Sequence, residues 1–121
     1  MTRDVFHKDC PARDVLGRLT GRWSLLVLTA LMTEPRRYTE LRTTVAGISD
    51  KSLAATLRSL QQDGLVHREI GTAQPPPVTY SVTELGRGAT EALAPALAWL
   101  RANSAQIAGR SADDGTDHGA F

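Results

Sequence analysis

The chain has 121 residues, with 14 Lys or Arg against 13 Asp or Glu, 41% hydrophobic residues and 22% charged ones, which fits one ordinary globular domain. A net charge of +1 excludes a protein that coats nucleic acid by bulk charge but leaves room for a local basic face. One cysteine excludes an internal disulfide framework, the apolar run at residues 23–32 is too short to span a bilayer, and the first ten residues hold no signal-peptide pattern, so a cytoplasmic protein with no membrane partner is expected.

Residues 1–9 read as an N-terminal arm. Cys10-Pro11 precedes a short helical pattern at 12–19, with Val15, Leu16 and Leu19 on one face. Thr20-Gly21 breaks it. Residues 23–33 are apolar almost all round and read as a buried central helix, ended by Glu34-Pro35. Arg36-Arg37-Tyr38 can form a very short strand. Thr39 then reads as the N-cap of a brief helix at 40–45, with Leu41 and Val45 inward. Gly47 opens a turn, and Ser49 caps a helix that runs to about Asp63. Asp50 lies in its first turn, where the helix dipole favours an anion, and Gly64 is the stop. Val66–Ile70 and Val78–Val82 alternate as strands around the loop 71–77, which makes a hairpin with an extended tip. Thr83 caps a long helix that reaches about Ile107 and is expected to bend at Pro95. Residues 111–121, rich in Gly and Asp and without periodicity, are expected to be disordered. The fold class is mainly α with a small β-hairpin (α+β). It reads as a winged helix-turn-helix over residues 10–108, between the arm at 1–9 and a tail at 109–121.

Along residues 49–63, Leu53, Leu57 and Leu60 fall on one side at about 100° per residue. Lys51, Ser52, Ala55, Arg58 and Ser59 gather on the other, with Gln62 near the far end. Small residues let a helix approach the floor of the major groove, Lys and Arg meet phosphates or guanine edges, and Ser can donate to either. Alone, such a face reads as well as a solvated exterior. The helix before it and the hairpin after it make it a recognition helix, with Ser49 at its start. Arg36 and Arg37 at the base of the wing, and Thr39 and Arg42 on the preceding helix, are candidate phosphate contacts that set register, or else ordinary surface groups. The wing tip has no Lys or Arg. Gln74 is its candidate minor-groove contact, and otherwise the loop is passive.

Leu93, Leu97, Trp99 and Leu100 on the last helix, with Leu16 on the first, form a candidate dimer interface, since they are more apolar surface than a chain of this size easily covers. A two-fold dimer doubles the contacts a single recognition helix makes on a palindrome. Cys10 stands beside His7, Lys8 and Arg13 just before a helix, surroundings that stabilise a thiolate. It reads equally as a small buried residue that packs the first helix, and Asp9 and Asp14 counter the cations. His7, His67 and His118 are scattered and no HExxH, CxxC, GxSxG or glycine-rich phosphate loop occurs, so no enzyme, metal or cofactor is expected.

The segments Cys10-Pro11, Gly21-Arg22-Trp23-Ser24-Leu25-Leu26-Val27-Leu28, Pro35-Arg36-Arg37-Tyr38-Thr39-Glu40-Leu41-Arg42, Gly47-Ile48-Ser49-Asp50-Lys51-Ser52-Leu53, Leu57-Arg58-Ser59-Leu60 through Val66, and Pro76-Pro77-Val78-Thr79-Tyr80 through Gly86 occur in one order over roughly residues 9–103. In this the chain resembles the HxlR-type family of winged-helix transcription regulators, a branch close to MarR-type regulators. The resemblance implies a homodimeric bacterial DNA-binding protein. Its N- and C-terminal helices would build the dimer and the helix at 49–63 would enter the major groove. A near-N-terminal cysteine, matched by Cys10, serves several members as a sensor of electrophiles, quinones, aldehydes or oxidants. Thr56 departs from the family's common Arg, which puts a phosphate or intersubunit contact in doubt. Gly21-Arg22-Trp23 replaces a glycine-lysine-tryptophan word with no change of charge.

Together these readings describe a dimeric regulator, a repressor, on a pseudo-palindromic double-stranded DNA operator. Its effector is an electrophile or oxidant acting at Cys10. The alternative is a small molecule in a pocket at the dimer interface, lined by Trp23 and Trp99, with a purely structural Cys10. A winged helix that binds protein rather than DNA is the rival from another class.

Overall fold

The structure, a computed structural model, describes residues 6–114, with side chains through residue 109. Helix α1 (Pro11–Leu19) carries Pro11 in its first turn, where a missing N–H costs no helical hydrogen bond. Thr20 Oγ1 closes its end by donating to the Leu16 carbonyl at 2.7 Å. Helix α2 (Ser24–Leu31) follows, and Ser24 Oγ donates to the Arg18 carbonyl at 2.8 Å, which holds the corner between the two helices. The expected buried central helix is shorter than 23–33 and buried on one side only. Ser24, Val27, Leu28 and Leu31 are covered, whereas Leu26 keeps 38% of its surface. An apolar sequence sets no preferred face, so neighbouring elements decide which side is covered.

Strand β1 (Arg36–Arg37) leads straight into helix α3 (Tyr38–Thr44). Thr39 is not the cap of this helix. The extended backbone of Arg37 holds that position, and the Glu40 carboxylate reaches back to accept the Arg37 N–H at 2.7 Å. Glu40, the third residue of the helix, reaches back to the start, whereas Thr39, its second residue, already lies inside the first turn. Helix α4 (Asp50–Gln62) begins as expected, with Ser49 Oγ accepting the Ser52 N–H at 3.1 Å. Gly47 and Gly64, at φ +89° and +77°, make the left-handed turns on either side of it.

Strands β2 (Val66–Ile70) and β3 (Val78–Val82) pair antiparallel, Val66 opposite Val82 and Ile70 opposite Val78. The hairpin is joined by β1 on its other edge, in the order β1-β3-β2, with Arg36 opposite Tyr80 and Arg37 opposite Thr79. Helix α5 (Glu84–Asp114) starts at Thr83 and is longer than expected. It continues as one helix past Pro95 and takes in residues 109–114, so that part of the expected tail is helical. Residues 115–121 and the first five residues of the arm lie outside the described residues.

Contacts divide the chain into two compact units, Met1–Thr90 and Glu91–Phe121. The core belongs to the first. Leu28 of α2, Leu41 of α3, and Leu53, Leu57 and Leu60 of α4 are covered almost completely, and Val66 and Tyr80 close the core from the sheet. Each fully buried Leu contributes about 1.5–3 kcal/mol. Among the described residues, no helix is long and apolar enough to cross a membrane.

Outside the core, Arg18 in the last turn of α1 grips Asp63 at the end of α4. Nε donates to Oδ2 and Nη2 to Oδ1, both at 2.7 Å. The Asp63 side chain keeps only 13% of its surface and sits at the negative end of the α4 dipole, so the guanidinium offsets an otherwise unfavourable charge. Arg18→Ala should therefore lower the denaturation midpoint more than Asp63→Asn does. Arg18→Ala strands a half-buried carboxylate against helix carbonyls, whereas Asp63→Asn removes that charge. Equal shifts in paired urea titrations would show that the ion pair has no such asymmetry.

Candidate nucleic-acid interface

Helix α4 sorts its residues by face. Leu53, Leu57 and Leu60 are buried, and Lys51, Ala55, Arg58 and Gln62 are exposed on the opposite side. Ser52 and Ser59 lie on the flank and are half-buried. The outward face thus carries two cations around a small central residue. Ser49 caps this helix with its side chain and orders the first turn.

The other predicted contacts divide. Arg37, Thr39 and Gln74 are exposed. Residues directly opposite in a ladder share a face, so Arg37, Thr79 and Glu69 line one side of the sheet, and Arg36, Tyr80 and Arg68 the other. Arg36 is held on that inner side. Its Nε donates to the Ala30 carbonyl at 2.7 Å and its Nη2 to Thr33 Oγ1 at 3.2 Å. It closes the C-terminal end of α2, where helix carbonyls lack partners and a cation suits the dipole. The wing tip is closed by Gly71 N–H donating to the Pro77 carbonyl at 2.7 Å.

Arg42 is also engaged. Its Nη1 donates to Asp50 Oδ1 at 2.7 Å. The Tyr38 hydroxyl donates to the Asp50 carbonyl at 3.0 Å and lies 3.3 Å from the same Oδ1. Three residues from α3 and the first turn of α4 thus meet at one carboxylate. The Arg42 hydrogen bond, opposed by desolvation, holds the Asp50 carboxyl below the usual aspartate range. Desolvation, with the Asp50 charge behind it, pushes the Tyr38 phenol above its ordinary value. The sign follows from the depressed carboxyl: the pairing is intact above the ordinary aspartate range and is lost only as pH falls through the lowered value. Sequence reading gave Asp50 a dipole role alone. The available signal was the spacing of Tyr38 and Arg42, four apart and so on one side of a helix that ends just before the Asp50 turn.

Cys10 is buried, at 2% exposure, with its N–H donating to the His7 carbonyl at 3.1 Å and its carbonyl accepting the Arg13 N–H at 3.0 Å. Of the candidate dimer residues, Leu16, Trp99 and Leu100 are exposed at 49%, 58% and 47%, while Leu93 and Leu97 are half-buried. Within the first unit a groove of about 680 Å³ is lined by Val15, Leu19, Leu65, Leu85 and Ala89, with Asp63 among the other lining residues. Neither Trp23 nor Trp99 lines it. Trp23 instead carries the Arg22 guanidinium over its ring, 4.7 Å from the centroid. No three of His, Cys, Asp and Glu come together as metal ligands among the described residues.

Comparison with known proteins places this geometry. A family model described as HxlR-like helix-turn-helix matches residues 18–108. YtfH of Escherichia coli (strain K12), described as an uncharacterized HTH-type transcriptional regulator, is 38% identical over 104 residues, covering 86% of this chain and 82% of its own. The solved ytfH protein of Salmonella typhimurium superposes with a TM-score of 0.80 at 36% identity, over 89% of this chain and 96% of that one. The redox regulator HypR in its oxidized form superposes with a TM-score of 0.71 at 32% identity, over 78% of this chain and 97% of that one.

Proposed function

This chain belongs to the HxlR-like helix-turn-helix family of transcriptional regulators, and from that premise we propose that it is a homodimeric repressor of a pseudo-palindromic DNA operator. The observation that carries the reading is the outward face of α4, where Lys51 and Arg58 flank Ala55 with the apolar stripe turned away. A helix with that cross-section enters a major groove without steric obstruction and offers donors to guanine edges and phosphates. Arg37 and Thr39 stand beside it as backbone contacts, and Gln74 on the wing reaches toward a minor groove. The exposed Trp99 and Leu100 of α5 supply dimer surface, with Leu16 of α1 as a further contributor.

The inducing signal has two readings. In the first, Cys10 is oxidised. Two Cys10 thiols of a dimer give up two protons and two electrons to a peroxide or quinone and join as an intersubunit disulfide. The kinship with HypR, described as a redox regulator, supports this. Burial of Cys10 requires that its surroundings open first. In the second, Cys10 is structural and a small apolar effector enters the groove beside Leu85 and Ala89, which the depth of Cys10 favours.

Footprinting on the DNA beside its own gene, with and without a quinone, for wild type and Cys10→Ser, separates these readings. Symmetric protection of two half-sites about one helical turn apart is expected. Under the thiol reading the quinone releases wild type but not Cys10→Ser. Release of both variants would move the signal to the groove. Absence of any protection at moderate salt would overturn the operator reading itself.

A further inference from the structure

Bulk electrostatics alone would make Asp50 a liability in this regulator. It stands at the first position of α4, its side chain keeps 66% of its surface, and it adds negative charge where phosphates would approach. Its contacts tell otherwise. Oδ1 takes the Arg42 Nη1 donor and lies within reach of the Tyr38 hydroxyl, which also donates to the Asp50 carbonyl. Arg42 has five N–H donors in a rigid plane, and only Nη1 meets Asp50, while the side chain remains 48% exposed. A free arginine on a short helix samples many rotamers, and ordering it on binding costs affinity. Here that ordering is done before DNA arrives.

We infer that Asp50 is a positioning residue for DNA binding, which, with Tyr38, holds the Arg42 guanidinium so that its remaining N–H groups present to a backbone phosphate. The inference rests on the DNA-binding reading above and adds a role that charge counting gets wrong in sign. Arg42 becomes a preorganised phosphate contact, and Asp50 supports binding although it carries the charge of the ligand. The cluster also ties the start of α4 to α3, so the base-reading face and the phosphate contact move as one body.

The test is operator affinity across a salt series for Asp50→Asn, Tyr38→Phe, Arg42→Ala and the Asp50→Asn/Arg42→Ala double variant, with circular dichroism melting of each. Removing a negative charge from a DNA-facing surface should tighten binding by simple electrostatics. The expected result is the reverse. Asp50→Asn weakens binding about threefold or more, and Arg42→Ala weakens it and lowers the salt slope by about one. The double variant is no weaker than Arg42→Ala alone, because Asp50 acts through Arg42. Tyr38→Phe, which leaves all charges in place, shows a smaller loss of the same kind and covers the case in which Asp50→Asn melts early. Tighter or unchanged binding by Asp50→Asn, or additive losses in the double variant, would overturn the inference. If wild type itself binds no operator DNA at any salt concentration, the DNA-binding reading falls instead, so the two failures are distinguishable.

Discussion

Replacing Lys51 and Arg58 by Ala should weaken operator binding by roughly 1–3 kcal/mol for each side chain that meets a base edge. Both side chains are exposed on the face of α4 that opposes Leu53, Leu57 and Leu60, so neither substitution opens the core, and the melting midpoint should stay within the small range of surface changes. The loss has two distinguishable forms. A residue that reads a guanine relaxes specificity at one base pair in each half-site. A residue that meets only phosphate weakens all sequences alike and lowers the salt slope by about one. Competition binding against single-base operator variants, at three salt concentrations, assigns each residue to one form. Affinity, specificity and slope all unchanged in the double variant would remove α4 from the interface.

The largest expected effect on stability lies at Gly86, in the first turn of α5. Thr83 begins α5 with three bonds. Its hydroxyl accepts the Gly86 N–H at 3.0 Å and donates to the Gly64 carbonyl at 2.7 Å, and its N–H donates to the Leu65 carbonyl at 3.0 Å. These bonds press the first turn of α5 onto the backbone that leads into β2. A Cβ on Gly86 would overlap the Leu65 carbonyl oxygen and stand 2.8 Å from Val82 Cγ2. Backbone cannot turn aside as a side chain can, so Gly86→Ala should cost about 1–3 kcal/mol or more. Gly88 is the internal control. A Cβ there meets nothing within 4 Å, so Gly88→Ala should instead gain up to about 1 kcal/mol of helix propensity. Urea titrations of the two variants should move in opposite directions at unchanged m-value. A Gly86→Ala protein as stable as wild type would mean that α5 does not pack this tightly on Leu65.

Both predictions turn on features that the sequence displayed unevenly. Elements with strong local signals were legible. Ser49 and Gly64 bracket α4 with a side-chain cap and a left-handed stop, and alternation marked β2 and β3 to the residue. Where two local signals compete, the sequence misleads. Thr39 looks like a cap, yet Glu40 reaching back to the Arg37 N–H places the start of α3 earlier. The short strand at Arg36-Arg37 was legible, but its partner was not: β1 pairs with the free edge of β3, which is why a hairpin became a three-stranded sheet. At the candidate interface, periodicity found Lys51, Ala55 and Arg58 on the outer face. It could not show that Arg36 closes α2 or that Arg42 answers to Asp50, because those partners lie six and eight residues away across turns.

By itself, the sequence determined the order and kind of elements, the apolar stripe of α4 with its cationic reverse, and the family to which the chain belongs. The elements and the stripe follow from local propensity and period, which act over a few residues, and the family follows from the resemblance carried by the ordered words from Cys10-Pro11 to Gly86. Only the tertiary structure decided which charges remain available to a ligand. Ion pairs such as Arg18–Asp63 and Arg42–Asp50, the depth of Cys10 and the clearance at Gly86 depend on distances between separate elements. Those distances are fixed when the core packs, since close-packed Leu side chains leave each helix little freedom to slide or turn. The balanced net charge of +1 hides that division: the two cations on the outward face of α4 stay presented, Arg18 and Arg36 are held by their own chain, and Arg42 is oriented by Asp50 with part of its side chain still exposed.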